Sequence, residues 1–98
     1  MNKNQQESLH KCLGTSNVII HDSGFNQLTF MGWKTIIIEN KHNHNFYIAL
    51  ENTSSRIVDG VKMMFKSFND CKNFIRNNLI DGDSNYSVTY RMYKELFN

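Results

Sequence analysis

Between Trp33 and Ile80 the apolar positions change from a two-residue period to a three-to-four-residue period, which predicts β-strands followed directly by a helix. Trp33–Asn40 is β-branched and aromatic, Lys41–Asn45 is a polar hairpin loop, and Phe46–Glu51 is the return strand. Alternation along that return strand puts Phe46, Ile48 and Leu50 on one face, the expected core. Tyr47, Ala49 and Glu51 fall on the other, expected to face a partner or solvent. A third strand is expected over Arg56–Phe65. Its Asp59-Gly60 pair suits either a two-residue turn or a bulge, and the bulge explains more because Ile57, Val61, Met63 and Phe65 then share a face. Ser67 follows as an N-cap, with Asp70 three positions on as in a capping box. In the helix after it, Phe68, Cys71, Ile75 and Leu79 form an apolar stripe, while Lys72, Asn73, Arg76 and Asn77 face away.

The flanks carry weaker patterns. Asn4–Leu13 suits a short helix capped by Asn2 or Asn4 and closed by Gly14, with Leu9, Cys12 and Leu13 apolar; residues 1–16 are expected to dock loosely. Val18-Ile19-Ile20 reads as a strand ended by Asp22-Ser23-Gly24, and Phe25–Phe30 as a further strand leading into Gly32. Asp81–Ser84 stops the helix, and Ser84–Phe97 carries Tyr86, Tyr90, Tyr93 and Phe97 at helical spacing. The expected fold is therefore one α+β domain over residues 1–98. It has an antiparallel sheet of three to four strands, two C-terminal helices packed on one face and a short N-terminal helix.

At 98 residues, a hydrophobic content of 40% with seven Phe, four Tyr and one Trp is a globular composition with room for one core. Eleven basic and nine acidic side chains give a formal charge of +2, too little field to hold polyphosphate nonspecifically. No apolar run approaches the ~18 residues that span a bilayer, and Cys12 and Cys71 without a secretory signal read as reduced thiols. The chain is expected to be soluble and cytoplasmic. Proline is absent and asparagine makes up one residue in seven. That bias fits AT-rich coding in a bacterium, phage or mobile element.

Candidate chemistry is sparse. His42-Asn43-His44 places two imidazoles in a hairpin loop, but the remaining zinc ligands are missing. His21-Asp22-Ser23 has the residue types of a hydrolytic triad, yet adjacent residues cannot form its line of hydrogen bonds. Cys71 sits on the apolar stripe, where packing explains it better than nucleophilic catalysis. Glu39 and Glu51 would be an acid pair only if they met across strands. No enzyme, cofactor or metal is expected. Trp33, Lys34, Tyr47, Glu51 and Lys62 form the expected partner-binding surface on the outer sheet face, aromatic anchors among charged groups.

Three strands followed by a helix, with the Phe65-Lys66-Ser67-Phe68 junction, resemble AP2-type and integrase-arm DNA-binding domains, which imply a sheet read into the major groove. A second resemblance covers Ile36–Phe97. Ile38-Glu39-Asn40, a polar hairpin, Ala49-Leu50-Glu51-Asn52, a strand ending Phe65-Lys66-Ser67, a helix containing Phe74, a glycine-bearing loop and a final helix resemble a small phage anti-CRISPR inhibitor of the type I-F surveillance complex. That family implies a four-stranded sheet with two helices that blocks target DNA by binding Cas backbone subunits through the open sheet face, Glu51 included. The expected function is thus a non-enzymatic inhibitor from a phage or mobile element. Its partner would be a host protein or nucleoprotein complex in the bacterial cytoplasm, bound by a monomer or homodimer. The alternative is a DNA-binding module contacting phosphates or bases through Lys34, Lys41, Arg56 and Lys62.

Overall fold

The computed structural model describes residues 1–23, 29–30 and 32–79. Helix α1 (Lys3–Leu13) leads to β1 (Val18–Asp22), β2 (Thr29–Phe30), β3 (Trp33–Asn40), β4 (Phe46–Asn52) and β5 (Val58–Phe65). Helix α2 (Phe68–Phe74) follows and continues as a π-helical segment, Ile75–Leu79. The sheet is antiparallel throughout. β1 and β2 share one edge of β3, pairing with Ile36–Asn40 and with Trp33–Lys34 respectively, and β4 and β5 follow on the other side. The fold is α+β as expected, with five strands in four positions where three to four strands were expected.

Local signals set the element ends. Asn2 Oδ1 accepts the Gln5 amide at 3.1 Å, and Gly14, at φ 76°, donates its amide to the His10 carbonyl, so α1 is capped at both ends. Ser67 Oγ accepts the Asp70 amide at 3.1 Å at the start of α2. The β4–β5 register breaks between Ile48 and Leu50, where Gly60 takes φ 69°. The bulge is real, and only a residue free of a side chain adopts that angle without strain.

Its consequence for the faces differs from the expectation. β5 starts at Val58, Ile57 lies exposed before it, and Val61 packs on the opposite side of the sheet from Phe65. Asp59 pairs with Leu50 and Phe65 with Phe46, residues of one face of β4, so the alternation keeps its side across the bulge and Val61, within it, is the residue turned to the other.

The larger correction concerns the layers. Both faces of the sheet are buried at its centre, while Ile19 and Met64, on its edge strands, stay exposed. Ile37, Ile48 and Leu50 pack with Cys71 and Ile75 beneath α2, flanked by Trp33, Phe46, Phe65, Phe68 and Phe74. Ile36, Ile38, Ala49 and Val58 pack with Leu9 of α1 and with Val18, flanked by Leu13, Ile20, Tyr47 and Val61. The α1 and α2 helices therefore lie on opposite faces. Cys71 and Ile75 occupy the stripe as expected and Asn73, Arg76 and Asn77 are exposed, but Lys72, expected to face away with them, is half-buried and donates to the Ser23 carbonyl at 2.7 Å. The side chain of Leu79, most of the strand expected over Phe25–Phe30 and the helix expected over Ser84–Phe97 lie outside the described residues.

Candidate functional site

At the end of the sheet where β4 meets the 52–57 turn, one carboxylate gathers groups from three other parts of the chain. Glu51 pairs in register with Lys34 on β3 and with Val58 on β5, which points its side chain to the α1 side. There it is 0% exposed. Gln5 Nε2 donates to Glu51 Oε2, Arg56 Nε lies 3.4 Å from the same oxygen, and Lys34 Nζ lies 3.4 Å from Oε1. Among the described residues nothing donates a hydrogen bond to Oε1, so Lys34 balances its charge without satisfying a lone pair.

The scaffold around this carboxylate is polar and local. Asn52 Oδ1 accepts the amides of Ser54 and Ser55 at 3.0 and 2.9 Å, and its backbone amide donates to the Ile57 carbonyl at 2.8 Å. Arg56 closes the turn in a left-handed conformation, φ 67°, an unfavourable angle for a side chain that long. Asn4 Nδ2 then donates to the Ser55 carbonyl at 3.1 Å, joining the turn to α1. Lys34 and Arg56 keep 40% and 46% of their side chains exposed. Two cationic heads are thereby held on a buried anion with their outer faces in solvent.

The five residues expected to form one surface do not form one. Glu51 lies under α1 and Lys34 sits at its rim. Tyr47 is half-buried farther along the same face, two rungs from Glu51, with Ala49 and α1 between them. Trp33 packs on the α2 side. Lys62 lies beside the register break in β5, and its side chain is outside the described set. The face read as open is closed because α1, with Gln5 and Leu9 turned inward, covers it. Asn4, Gln5 and Ser8, absent from the expected site, join α1 to it. The signal for Gln5 is a polar side chain four positions before Leu9, on the stripe that also holds Leu13.

Other constellations resolve into packing or turns. Glu39 and Glu51 do not meet: Glu39 pairs with Phe46 at the other end of β4 and accepts from His21 Nε2 at 3.1 Å. The His21 ring in turn stands edge-on to Phe68, with centroids 5.2 Å apart. Asn17 Nδ2 donates to His42 Nε2 at 3.2 Å, and His44 takes φ 60° in the hairpin loop. No three His, Cys, Asp or Glu side chains among the described residues converge as metal ligands. Burial, then Asp70, pushes the Cys71 thiol up to about 12; burial and Asp59 raise that of Cys12. Neither cysteine has the electropositive setting that makes a thiolate at neutral pH.

No family model, curated protein or solved structure matches the chain. Among the described residues no helix is long and apolar enough to cross a membrane. The geometry is that of an α+β protein with two half-exposed cations held on a buried carboxylate at one end of its sheet.

Proposed function

We propose that this protein is a small non-enzymatic inhibitor from a phage or mobile element, and that it works by occupying a surface of a host protein or nucleoprotein defence complex. The observation that supports this reading is the Lys34–Glu51–Arg56 arrangement. An arginine and a lysine whose side chains are already ordered lose little freedom on meeting a partner, and such preorganised groups are favoured interface anchors. The partner contact is assigned to this end of the sheet, with Lys34 and Arg56 outward and Glu51 as their support. This revises the role that the anti-CRISPR resemblance gave Glu51, from contact to foundation.

The test is a binding titration of the purified protein against the type I-F surveillance complex and, separately, against duplex DNA over a range of salt. Binding to the complex that weakens about tenfold or more in Lys34→Ala/Arg56→Ala/Glu51→Gln, where the buried charge is removed together with its partners and the unfolding transition is retained, supports the proposal. Binding to naked duplex that falls steeply with salt replaces it with the DNA-binding alternative. Binding to neither rejects both.

A further inference from the structure

Helix α1 covers one sheet face with few anchors. Of its eleven residues only Gln5 and Leu9 are buried, and Leu9 is the one apolar side chain that it sinks fully into the core. Leu13 packs beside that core only partly buried, and the other ties of α1 are polar. Gln5 donates to Glu51, Asn4 to the Ser55 carbonyl and Cys12 Sγ to the Val58 carbonyl at 3.6 Å, while Ser8 Oγ accepts the Val58 amide at 2.9 Å. By contrast, the α2 side holds Cys71 and Ile75 fully buried, with Phe68 and Phe74 packed beside them. Gly14 and the segment Thr15–Asn17 separate α1 from β1 and can act as its hinge.

Beneath α1 lies a fully buried charge. The two cations that balance Glu51 come from β3 and from the 52–57 turn, both outside α1, and both are about half exposed. If they are drawn away, they rehydrate easily, but the carboxylate does not. Its strand is paired on both sides, to β3 and to β5, so the sheet cannot open around it. An uncompensated carboxylate inside a protein is strongly unfavourable, and its route to water is the lifting of α1.

We infer that α1 is a charge-latched cover, held down while Lys34 and Arg56 neutralise Glu51 and released when they cease to do so. Release uncovers Ile36, Ile38, Ala49 and Val58, an apolar face now hidden in the monomer. A partner whose anionic groups engage the two cations would then both bind the protein and expose that face. This last step rests on the proposed function; the latch itself does not.

Hydrogen exchange on the full chain, read residue by residue without any partner, tests the latch. The Val58 amide is held by Ser8 of α1, so its exchange reports the departure of the helix, while the amides of Ile37 and Ile48 at the sheet centre report global opening. In Lys34→Gln/Arg56→Gln, where glutamine bears the same left-handed strain as arginine at position 56, Val58 and the α1 amides should exchange at least about tenfold faster. Ile37 and Ile48 should change much less. Adding Glu51→Gln, which removes the buried charge and leaves its shape, should restore slow exchange at Val58. The milder single substitution Lys34→Gln should show the same order of release by a smaller factor, about threefold. Unchanged exchange at Val58, equal acceleration at Val58, the α1 amides, Ile37 and Ile48, or failure of Glu51→Gln to reverse the effect would overturn the latch. Partner affinity enters none of these outcomes, so a failed inhibitor assignment would leave them intact.

Discussion

Replacing Ile75 by alanine should remove about 3 kcal/mol of folding stability. Ile75 is fully exposed to the core and not to solvent: it packs with Ile37, Ile48, Leu50 and Cys71 where α2 passes into its π-helical end. Deleting three carbons forfeits about 2.4 kcal/mol of transfer free energy. The cavity that remains brings isoleucine-to-alanine losses to about 2–5 kcal/mol. The better helix propensity of alanine returns only about 0.4 kcal/mol. Against a total of about 5–15 kcal/mol for a domain, this is a large fraction, and the midpoint of thermal unfolding should drop by about 10–25 °C. Urea unfolding followed by fluorescence is suited to the measurement, because Trp33, the only tryptophan, packs on the same cluster. Ile75→Val should lose about 0.5–1.5 kcal/mol, and the exposed Asn77→Ala no more than about 0.5. An Ile75→Ala protein within about 0.5 kcal/mol of the parent, at unchanged urea slope, would refute the packing of α2 on this face.

Three further outcomes probe the same framework. Ser67→Ala removes the acceptor for the Asp70 amide and should cost about 1 kcal/mol in urea unfolding, with both clusters otherwise intact. Gly14→Ala meets no atom within 4 Å, so its cost, about 1 kcal/mol, should come from the backbone angle alone and be visible as fraying of the last turn of α1 in hydrogen exchange. The Cys71 thiol is raised from 9.0 to about 12, first by burial and then by Asp70, so the unfolded chain loses this proton at lower pH than the folded one. The stability it contributes is full below pH 9 and declines as pH climbs toward 12. The stability of the parent relative to Cys71→Ala should therefore fall by about 1.4 kcal/mol per pH unit in that window. A difference that stays flat between pH 9 and 11 would show that the thiol is accessible.

What could be read along the chain were features settled within a few residues: the Asn2 and Ser67 caps, the Lys41–Asn45 hairpin, the bulge at Gly60 and the alternation of Phe46, Ile48 and Leu50 against Tyr47, Ala49 and Glu51. Alternation says which side chains share a face. It does not say what comes to lie on that face. Gln5 and Glu51 are 46 residues apart, and a polar α1 with one fully buried leucine gives little notice that it will dock there. A small alanine and a glutamate on the Tyr47 side looked like surface for the same reason.

The corrective signal was on the neighbouring strand. Ile36, Ile37 and Ile38 are consecutive and therefore point to both faces, and all three are at most 1% exposed. A strand with isoleucine on each side needs a cover on each side. The stripe Phe68, Cys71 and Ile75 supplies one cover, beside Ile37. The Leu9 segment, ahead of β1, supplies the other over Ile36 and Ile38, and in doing so encloses Glu51 between Gln5, Lys34 and Arg56. The buried charge is thus a consequence of the closed face: a helix brought down to shield isoleucines covers a carboxylate on the next strand, and Lys34 and Arg56 are what makes that enclosure tolerable.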